Sequence, residues 1–299
     1  MSSAGSPTDD VAPVSVVTGA NSGIGRATAI YLASEGHRVI GTVRSVAKAD
    51  KLSAMSRDAG VSVELFELDV ADDDSVRDGF ARILDTTGRI DHLVNNAGIG
   101  GNAVAEECPP ELYLSVMNVN LCGAVRCVQA VLPQMRERGS GTIINLSSVA
   151  GRIAALAQSP YVTSKWALEG FSEGLAQELA PFGIRVAIIE PGVTKSAIFA
   201  KNVDAPNSTG CYEAHYRRMF QFYATGRINA TDPFEVAKVI HDAITTDEHR
   251  LRYPVSWGGA EMAELHDRIE DADWIALGAI EEDAAYYDRF HDVFGLDLR

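Results

Sequence analysis

The sequence predicts an α/β fold in which a doubly wound parallel sheet of about seven strands lies between two layers of helices. Six short runs rich in β-branched residues alternate with helical patterns, as in successive strand–helix–strand units. The runs are apolar on both faces, which is typical of strands in a buried parallel sheet. At 299 residues and 46% hydrophobic content, the chain is long enough to bury one large core.

The predicted strands are spread along the whole chain. They cover residues 14–18, 38–43, 61–70, 92–95, 142–147 and 185–190, and a seventh is expected at 251–255. Two helix starts are marked by their sequence. Ser159-Pro160 is interpreted as an N-cap followed by a first-turn proline, and Asp232-Pro233 with Glu235 resembles a capping box.

We expect a single domain over residues 14–299, preceded by a disordered lead-in over residues 1–13. Two regions depart from the alternating pattern. Residues 195–230 mix aromatic residues, glycine, proline and polar residues, and are interpreted as a loop-rich insertion over a site. Residues 256–299 form an acidic and aromatic C-terminal extension, which would either shield the site or add to a subunit interface.

The composition excludes several classes of protein. Acidic residues outnumber basic ones 41 to 26, and the net charge of −15 disfavours binding to nucleic acid or to anionic membranes. The four cysteines show no CxxC pair and no regular spacing, so no disulfide framework and no metal site is expected. The chain lacks a signal-peptide pattern and a long uncharged apolar run. We therefore expect a cytoplasmic protein.

A glycine-rich turn follows the first predicted strand and precedes a helical run. Glycines let backbone N–H groups approach a pyrophosphate, whose charge is favoured at a helix N-terminus. The TGxxxGxG spacing differs from the GxGxxG of most two-domain dehydrogenases. A plain strand–helix turn is the alternative, and the motifs further along the chain argue against it. The turn predicts dinucleotide contacts at Gly19, Asn21, Ser22, Gly23, Ile24 and Gly25.

The end of the second predicted strand bears on the choice of cofactor. Val43 occupies the place where an acidic residue would bind the adenosine ribose, and Arg44 follows it. A guanidinium suits a 2′-phosphate by its charge and its forked donors, so NADP(H) is predicted over NAD(H). The alternative is that Arg44 is an ordinary solvated arginine, since Ser22 adds no basic charge to the glycine turn.

Tyr161 and Lys165 form a YxxxK pair, and residues four apart lie on the same face of a helix. An ammonium close to a tyrosine lowers its pKa from about 10, and a helix N-terminus adds a smaller effect. The pair therefore predicts a partly ionised Tyr161 that acts in proton transfer. Taken alone, the pattern is common on protein surfaces, so its meaning depends on the other motifs.

Together these motifs resemble the short-chain dehydrogenase/reductase family, in its single-domain branch. The TGxxxGxG turn, Asn95-Asn96-Ala97-Gly98, Ser148 and the YxxxK pair occur in the family's order, and the resemblance fades beyond Thr194. It is closest to members similar to steroid and retinol dehydrogenases. The glycine spacing disfavours the extended branch and its epimerases. The resemblance implies a Rossmann-type fold and hydride transfer between nicotinamide and a carbonyl carbon.

The resemblance also implies the roles of individual residues. Tyr161 would carry the proton, Ser148 would hydrogen-bond the carbonyl oxygen, and Lys165 would hold the nicotinamide ribose. Asn120 would complete a proton relay through water, whereas Asn118 is out of register. Further cofactor contacts are implied at three turns, formed by Asp69-Val70, by Asn96-Ala97-Gly98, and by Pro191-Gly192-Val193-Thr194.

The substrate and the assembly are less closely defined by the sequence. Aromatic residues of the insertion would either cover an apolar ketone or secondary alcohol, or pack the insertion onto the domain; they are Phe199, Tyr212, Tyr216, Phe220, Phe222 and Tyr223. The resemblance implies a homodimer or homotetramer. A catalytically silent NADP-binding regulatory protein is the alternative function, and the intact Ser148, Tyr161 and Lys165 argue against it.

Overall fold

The computed structural model describes residues 12–196, 206–266 and 268–299. Within them, seven parallel strands form one sheet in the order β3-β2-β1-β4-β5-β6-β7. The strands are β1 (Val14–Val17), β2 (Arg38–Val43), β3 (Val63–Glu67), β4 (His92–Asn95), β5 (Gly141–Leu146), β6 (Ile184–Pro191) and β7 (Arg252–Val255). The predicted parallel sheet is confirmed. The largest shift in bounds is at β3, which lies at the sheet edge and is shorter than the predicted 61–70.

Helices cover both faces of the sheet, so the Rossmann-type architecture is also confirmed. One face packs against α1 (Gly23–Ser34), α2 (Asp50–Asp58) and a later helix at Pro233–Thr245, and the other against α3 (Asp73–Thr87) and the helices that follow it. Neighbouring residues of one strand supply the two cores: Ile143 belongs to one hydrophobic cluster and Ile144 to the other. This explains why the strands read as continuous apolar runs.

The helical stretch between β4 and β5 contains an irregularity that matters for the site. Helices α4 (Pro110–Met117) and α5 (Gly123–Arg138) are joined by a π-helical segment, Asn118–Cys122. Such π segments are often found at functional sites, and this one places Asn120 in the interior, 2% exposed. By length and composition alone, residues 110–138 could cross a membrane, but one face packs into the core beside β4 and β5.

The next helix, α6 (Ser159–Leu179), carries the YxxxK pair, and it begins differently from the prediction. Its N-cap residue is Gln158, so Ser159 is the first helical residue and makes no capping hydrogen bond. Instead, the Ser159 hydroxyl bonds to Tyr113 at 2.5 Å. Tyr161 is still in the first turn of the helix.

The predicted loop-rich insertion is wrong for the part that the structure describes. A 17-residue helix, α7 (Glu213–Asn229), occupies its second half. Tyr216, Met219, Tyr223 and Gly226 form its buried face, with spacings of three and four residues. The exposed apolar side chains of Phe220 and Ile228, outside this buried set, hid the periodicity. Phe199 lies outside the described residues.

Helix α8 (Pro233–Thr245) begins at the second predicted start. The side chain of Asp232 accepts a hydrogen bond from the N–H of Phe234 at 2.9 Å, so the predicted N-cap is confirmed. Glu235 pairs instead with Lys238, one turn further along the helix, at 2.8 Å. The reciprocal half of a capping box is therefore replaced by an ion pair within the helix.

The C-terminal extension folds into three short helices, α9 (Gly259–His266), α10 (Asp271–Gly278) and α11 (Asp283–Phe294). They form a third hydrophobic cluster around Phe290 and Phe294, which includes Val149 and Ile153 from the segment after β5. The extension therefore packs against the segment that directly follows Ser148, one of the predicted catalytic residues.

Candidate active site

A large cavity runs along the carboxyl ends of the strands, where open α/β sheets bind their ligands. Its volume is 1820 Å³. Pockets for a single small ligand usually measure roughly 300–1000 Å³, so this cavity has room for a dinucleotide and a second molecule. Every predicted site residue lines it except Gly25 and Asn120, which lie behind its wall.

The glycine turn at one end of the cavity is shaped by close backbone approaches. Gly19 and Gly23 have φ angles of +66° and +54°, which favour glycine. A Cβ on Gly25 would lie 2.3 Å from Nδ2 of Asn96 and 2.6 Å from the carbonyl oxygen of Gly19. The turn thus admits no side chain at Gly25, and its open backbone fits a bound pyrophosphate.

Asn21 and Ser22 complete the turn without blocking it. Nδ2 of Asn21 donates to the carbonyl of Lys48 at 3.0 Å, which ties the turn to the segment after β2. Ser22 is the N-cap residue of α1 but makes no side-chain capping hydrogen bond. The start of α1, where the helix dipole favours negative charge, therefore faces the cavity next to Ser22 and Gly23.

The Asn95-Asn96-Ala97-Gly98 turn braces the neighbouring strands. The N–H groups of Asn96 and Ala97 both donate to Oγ1 of Thr18 at 3.0 Å, and Nδ2 of Asn96 donates to the carbonyl of Thr18 at 2.8 Å. Nδ2 of Asn95 donates to Oδ1 of Asn145 on β5 at 2.9 Å. The turn therefore holds the ends of β1, β4 and β5 in place beneath the glycine turn.

The other end of the dinucleotide channel is formed by the ends of β2 and β3. Val43, Arg44, Asp69 and Val70 line the cavity here, and the Arg44 side chain is exposed at its edge. Oδ1 of Asp69 accepts a hydrogen bond from the N–H of Ala71 at 3.0 Å, which fixes the turn after β3. The positions of these residues suit an adenosine, and the Arg44 guanidinium provides a cation for a phosphate on its ribose.

Ser148, Tyr161 and Lys165 are brought together in the middle of the cavity. The Ser148 hydroxyl is hydrogen-bonded to the Tyr161 side chain. Oγ of Ser148 also accepts from the N–H of Ala150 at 3.1 Å and lies 3.3 Å from the carbonyl of Pro191, to which it donates. Nζ of Lys165 lies 5.7 Å from the centroid of the Tyr161 ring. The structure places all three as a single cluster.

The expected direction of the Tyr161 pKa shift is wrong for this structure. Burial raises the pKa of the Tyr161 phenol above its ordinary value, and the hydrogen bond with Ser148 opposes this only in part. The Lys165 ammonium makes its hydrogen bond to the carbonyl of Leu146, at 2.7 Å, and not to the phenol. Tyr161 therefore keeps its proton at neutral pH, which suits a proton donor.

Lys165 itself is 6% exposed, and burial lowers the pKa of its ammonium to about 8. The carboxylate of Glu169, one helical turn away, opposes this shift. Lys165 is therefore charged at neutral pH but close to losing its proton in mildly alkaline solution. This makes its charge sensitive to its neighbours.

The side chain of Asn120 is fully occupied within the protein. Oδ1 accepts from the N–H of Ile99 at 2.8 Å, and Nδ2 donates to the carbonyl of Ile99 and to Oγ of Ser164, both at 2.9 Å. Asn120 thus links α6 to the loop after β4. Its part in a water relay stays a prediction. Asn118 bonds to the carbonyl of Ala71 at 3.1 Å, outside this cluster, in agreement with its register.

The turn after β6 forms the floor of the cavity beside the catalytic cluster. A Cβ on Gly192 would lie 2.1 Å from the carbonyl oxygen of Trp257, so this position requires glycine. The N–H of Val193 donates to the same carbonyl at 2.9 Å, and the hydroxyls of Thr194 and Ser256 are 2.8 Å apart. The Pro191–Thr194 turn is thus bound to the start of the C-terminal extension.

The far end of the cavity is lined by residues that sequence patterns did not reveal. They come from α7, from the C-terminal helices and from the loop after β4; among them are Asn102, Met219, Met262, Trp274, Leu277, Phe290 and Leu298. The aromatic and apolar character of most of them was the only signal in the sequence, because no motif spacing links the C-terminal extension to the site. The extension therefore shields the site, one of the two roles considered for it.

The aromatic residues of the insertion divide between the two interpretations. Tyr212, Phe222 and Tyr223 line the cavity, and the Tyr223 hydroxyl donates to Oδ1 of Asn102 at 3.0 Å. Tyr216 packs the helix onto the protein body, because its hydroxyl accepts from the N–H of Val104 at 3.1 Å. Phe220 is 37% exposed.

The cysteines and the possible metal ligands can be located in the part of the chain that the structure describes. The cysteines at positions 108, 122, 127 and 211 are free there. In the same residues, His, Cys, Asp and Glu side chains form no group of three that could hold a metal ion.

Comparison with known proteins agrees with this fold and site. The model of the short chain dehydrogenase family matches residues 13–207. The fold, the glycine turn and the serine–tyrosine–lysine cluster define an oxidoreductase, and the chain belongs to the short-chain dehydrogenase family.

Particular relatives are known from sequence and from structure. Human 17-beta-hydroxysteroid dehydrogenase type 1 is 36% identical over 254 residues, covering 80% of this chain and 76% of that protein. A short-chain dehydrogenase from Streptomyces avermitilis has a similar structure, with a TM-score of 0.79 at 35% identity over 90% of this chain and 98% of that one. A metagenomic short-chain oxidoreductase in complex with NADP has a TM-score of 0.66 at 28% identity, over 81% and 96%.

Proposed function

We propose that this protein is an NADP(H)-dependent oxidoreductase that transfers a hydride between nicotinamide and a ketone or secondary alcohol, as an alcohol dehydrogenase or carbonyl reductase. The observation that carries the proposal is the joint placement of Ser148, Tyr161 and Lys165 in the cavity that begins at the glycine turn. A regulatory protein that only binds the cofactor has no use for a buried, hydrogen-bonded proton donor at this position.

The geometry supports a division of roles among the three residues. When bound, the nicotinamide supplies or accepts the hydride. In the reducing direction, Tyr161 donates its proton to the carbonyl oxygen, and Ser148 stabilises the charge that develops there by a hydrogen bond. Lys165 would hold the nicotinamide ribose. A Tyr161 that keeps its proton can serve as the acid in this direction.

The preference for NADP(H) rests on Arg44, and the NADP complex of the metagenomic relative supports it. We expect Arg44→Ala to weaken NADPH binding by about 10- to 100-fold, because a hydrogen bond to a charged group contributes about 1.5–3 kcal/mol. NADH binding should stay within about threefold of wild type, since NADH lacks the 2′-phosphate. Both dissociation constants are measured by fluorescence titration.

Arg57→Ala is the matched control for this test. Arg57 is an exposed arginine on α2 that does not line the cavity. Its removal should leave both cofactors unaffected. Equal weakening of NADPH and NADH by Arg44→Ala would mean that the arginine does not read the 2′-phosphate.

We also propose an apolar substrate. The far end of the cavity is walled by Met219, Phe222, Met262, Leu277 and Phe290, and apolar walls bind apolar ligands through the area they remove from water. The similarity to the human hydroxysteroid dehydrogenase supports the same choice. In a panel of carbonyl compounds followed by NADPH absorbance, bulky apolar ketones should give a higher kcat/KM than small polar ones.

Substitution of the wall gives a sharper form of this test. Phe222→Ser should lower kcat/KM for bulky apolar ketones by about tenfold, because burying a large apolar side chain is worth about 1.5–3 kcal/mol. The substitution should change kcat/KM for small ketones much less. A preference for small polar ketones in the wild type would contradict the apolar assignment, and no turnover with any carbonyl would favour the silent regulatory protein.

We further propose a homodimer or homotetramer. Leu114 on α4 is 69% exposed and Trp166 on α6 is 42% exposed. Exposed large apolar side chains on these two helices fit the subunit contacts that the family resemblance implies.

A further inference from the structure

Four charged residues form a buried network behind the catalytic cluster, and the mechanism above makes no use of them. We call Arg152, Glu169, Glu190 and Arg252 the buried network. Glu190 is 0% exposed and Glu169 is 5% exposed. Charged side chains at such depth are rare unless they are paired, and their burial requires an explanation.

The ion pairs of the buried network join four separate parts of the fold. Nε of Arg252, on β7, lies 3.1 Å from Oε2 of Glu169 on α6 and 3.4 Å from Oε1 of Glu190 on β6. Nη1 of Arg152, in the segment after β5, donates to the same Oε1 of Glu190 at 3.3 Å. One guanidinium therefore bridges the two carboxylates, and the second fixes the segment that begins at Ser148.

Both carboxylates of the network are close in sequence to a residue of the site. Glu190 immediately precedes Pro191, whose carbonyl accepts from Ser148 at 3.3 Å. Glu169 follows Lys165 by one helical turn, on the same face of α6. The carboxylate of Glu169 raises the pKa of the Lys165 ammonium against the effect of burial. The network is thus placed to affect both the position of Ser148 and the charge of Lys165.

Stability alone does not account for this arrangement. Replacing a buried ion pair by apolar residues of similar volume is often neutral or stabilising, since both charges must be removed from water. The cost is visible at Glu190, where burial and the neighbouring Glu169 raise the carboxyl pKa to about 7 in spite of the two arginines. The network thus keeps a carboxyl whose charged form is destabilised by its surroundings, which points to a role in the site.

We propose that the buried network positions the catalytic residues: it holds the Ser148 segment and the Pro191–Gly192 turn against α6, and Glu169 supports the positive charge of Lys165. This inference rests on the proposed function, because its residues act through Ser148 and Lys165. They are positioning residues and touch neither cofactor nor substrate in the roles assigned here.

The charged groups around Glu169 define what a pH experiment reports. They are Lys165 and Glu173 on α6, Glu190 on β6, Arg252 on β7 and Arg152 after β5. Removing the negative charge at Glu169 leaves the Lys165 ammonium less stabilised, so it loses its proton at a lower pH. The alkaline limb of the kcat profile should therefore move to lower pH.

The experiment compares Glu169→Gln, Glu169→Asp and Glu190→Gln with the control Glu173→Gln. Glu173 is on the same helix and binds the same Arg252 at 3.0 Å, but its side chain is 58% exposed. For Glu169→Gln we expect kcat to fall on the order of tenfold, less than the roughly 10²- to 10⁴-fold contribution of a general acid itself, because Glu169 acts only through Lys165. KM should change less than kcat. The alkaline limb of the kcat profile should shift down by about half a pH unit or more. Glu169→Asp should return the limb to its wild-type position.

Glu190→Gln tests separately whether the network positions the Ser148 segment. It keeps a hydrogen-bonding group but removes the charge that holds Arg152, so kcat should fall without a comparable shift of the alkaline limb. Glu173→Gln should match wild type in both respects. The proposal is overturned if folded Glu169→Gln and Glu190→Gln variants show the same kcat and pH profile as Glu173→Gln.

A binding measurement separates this inference from the proposed function. NADPH affinity, titrated by fluorescence between pH 6.5 and 9 with no substrate present, requires no turnover. In Glu169→Gln the affinity should weaken at a lower pH than in wild type. If wild type binds NADPH but reduces no carbonyl, the proposed function fails while the affinity curves still test the network; coinciding curves for Glu169→Gln and Glu173→Gln would refute the role of Glu169.

Discussion

Tyr161→Phe should lower kcat for carbonyl reduction by roughly 10²- to 10⁴-fold, the usual contribution of a positioned general acid. The variant loses the proton donor but keeps the ring, and with it the packing beside Lys165. NADPH binding should stay within about threefold of wild type, because the phenol supplies a proton rather than cofactor affinity. Single-turnover kinetics with NADPH absorbance measure the chemical step, and fluorescence titration measures the binding.

A second tyrosine in the same cavity provides the control. Tyr223 is 7% exposed and its hydroxyl bonds to Asn102, so Tyr223→Phe also removes one buried hydroxyl. We expect this variant to alter KM more than kcat, with kcat within about tenfold of wild type. An equal loss of kcat in both variants would show that Tyr161 is not the proton donor.

Gly25→Ala should abolish tight cofactor binding. The added Cβ would lie 2.3 Å from Nδ2 of Asn96 and 2.6 Å from the carbonyl oxygen of Gly19, so the turn must open to admit it. Overpacking of this kind costs about 1–3 kcal/mol, and here part of the clash is with backbone. We expect the NADPH dissociation constant to rise at least about tenfold, which corresponds to about 1.4 kcal/mol, together with a lower melting temperature.

Gly174→Ala is the matched control for this substitution. Gly174 lies in α6, and a Cβ there would meet nothing within 4 Å. Alanine favours a helix interior over glycine by about 0.5–1 kcal/mol, so the control should be as stable as wild type or more so. Unchanged NADPH affinity in Gly25→Ala would mean that the glycine turn does not form the pyrophosphate site.

The features predicted well from the sequence are those in which one local pattern has one physical meaning. A valine-rich run such as Val14–Val17 is stable as a strand buried on both faces, and the structure places it in the interior of the sheet, between β2 and β4. Gly19, Gly23 and Gly25 were predicted from spacing, and each is required by a positive φ angle or by a clash. Ser148 and Tyr161, by contrast, were predicted from the order of several motifs, and the fold brings the two into contact.

The features predicted poorly depend on tertiary packing. Helix α7 was missed because exposed positions such as Phe220 and Ile228 are apolar as well as the buried Tyr216 and Tyr223, so polarity does not mark one face. Ser159 does not cap its helix because Tyr113, distant in sequence, takes its hydroxyl. The direction of the Tyr161 pKa shift was misjudged because the sequence places Lys165 nearby but does not show that burial acts on the phenol in the opposite direction.

The buried network illustrates the same limit. Nothing in the spacing of Arg152, Glu169, Glu190 and Arg252 suggests that they meet, since they come from four elements that only the sheet order brings together. Their residue types alone would place them on the surface. A buried ionic cluster can therefore be recognised from the fold but not from the sequence.

The three C-terminal helices line the cavity but contain none of the residues assigned to the chemistry, so the two properties depend on different segments of the chain. The family match ends at residue 207, yet Met262, Trp274, Leu277 and Phe290 beyond it form much of the wall around the substrate end of the cavity. Mutations in this tail alter the shape of the wall while the proton donor and the cofactor turn stay the same. A lineage with this architecture can thus vary the wall through these positions of the tail, provided that the tail keeps its contacts with Val149 and Ile153, which follow Ser148.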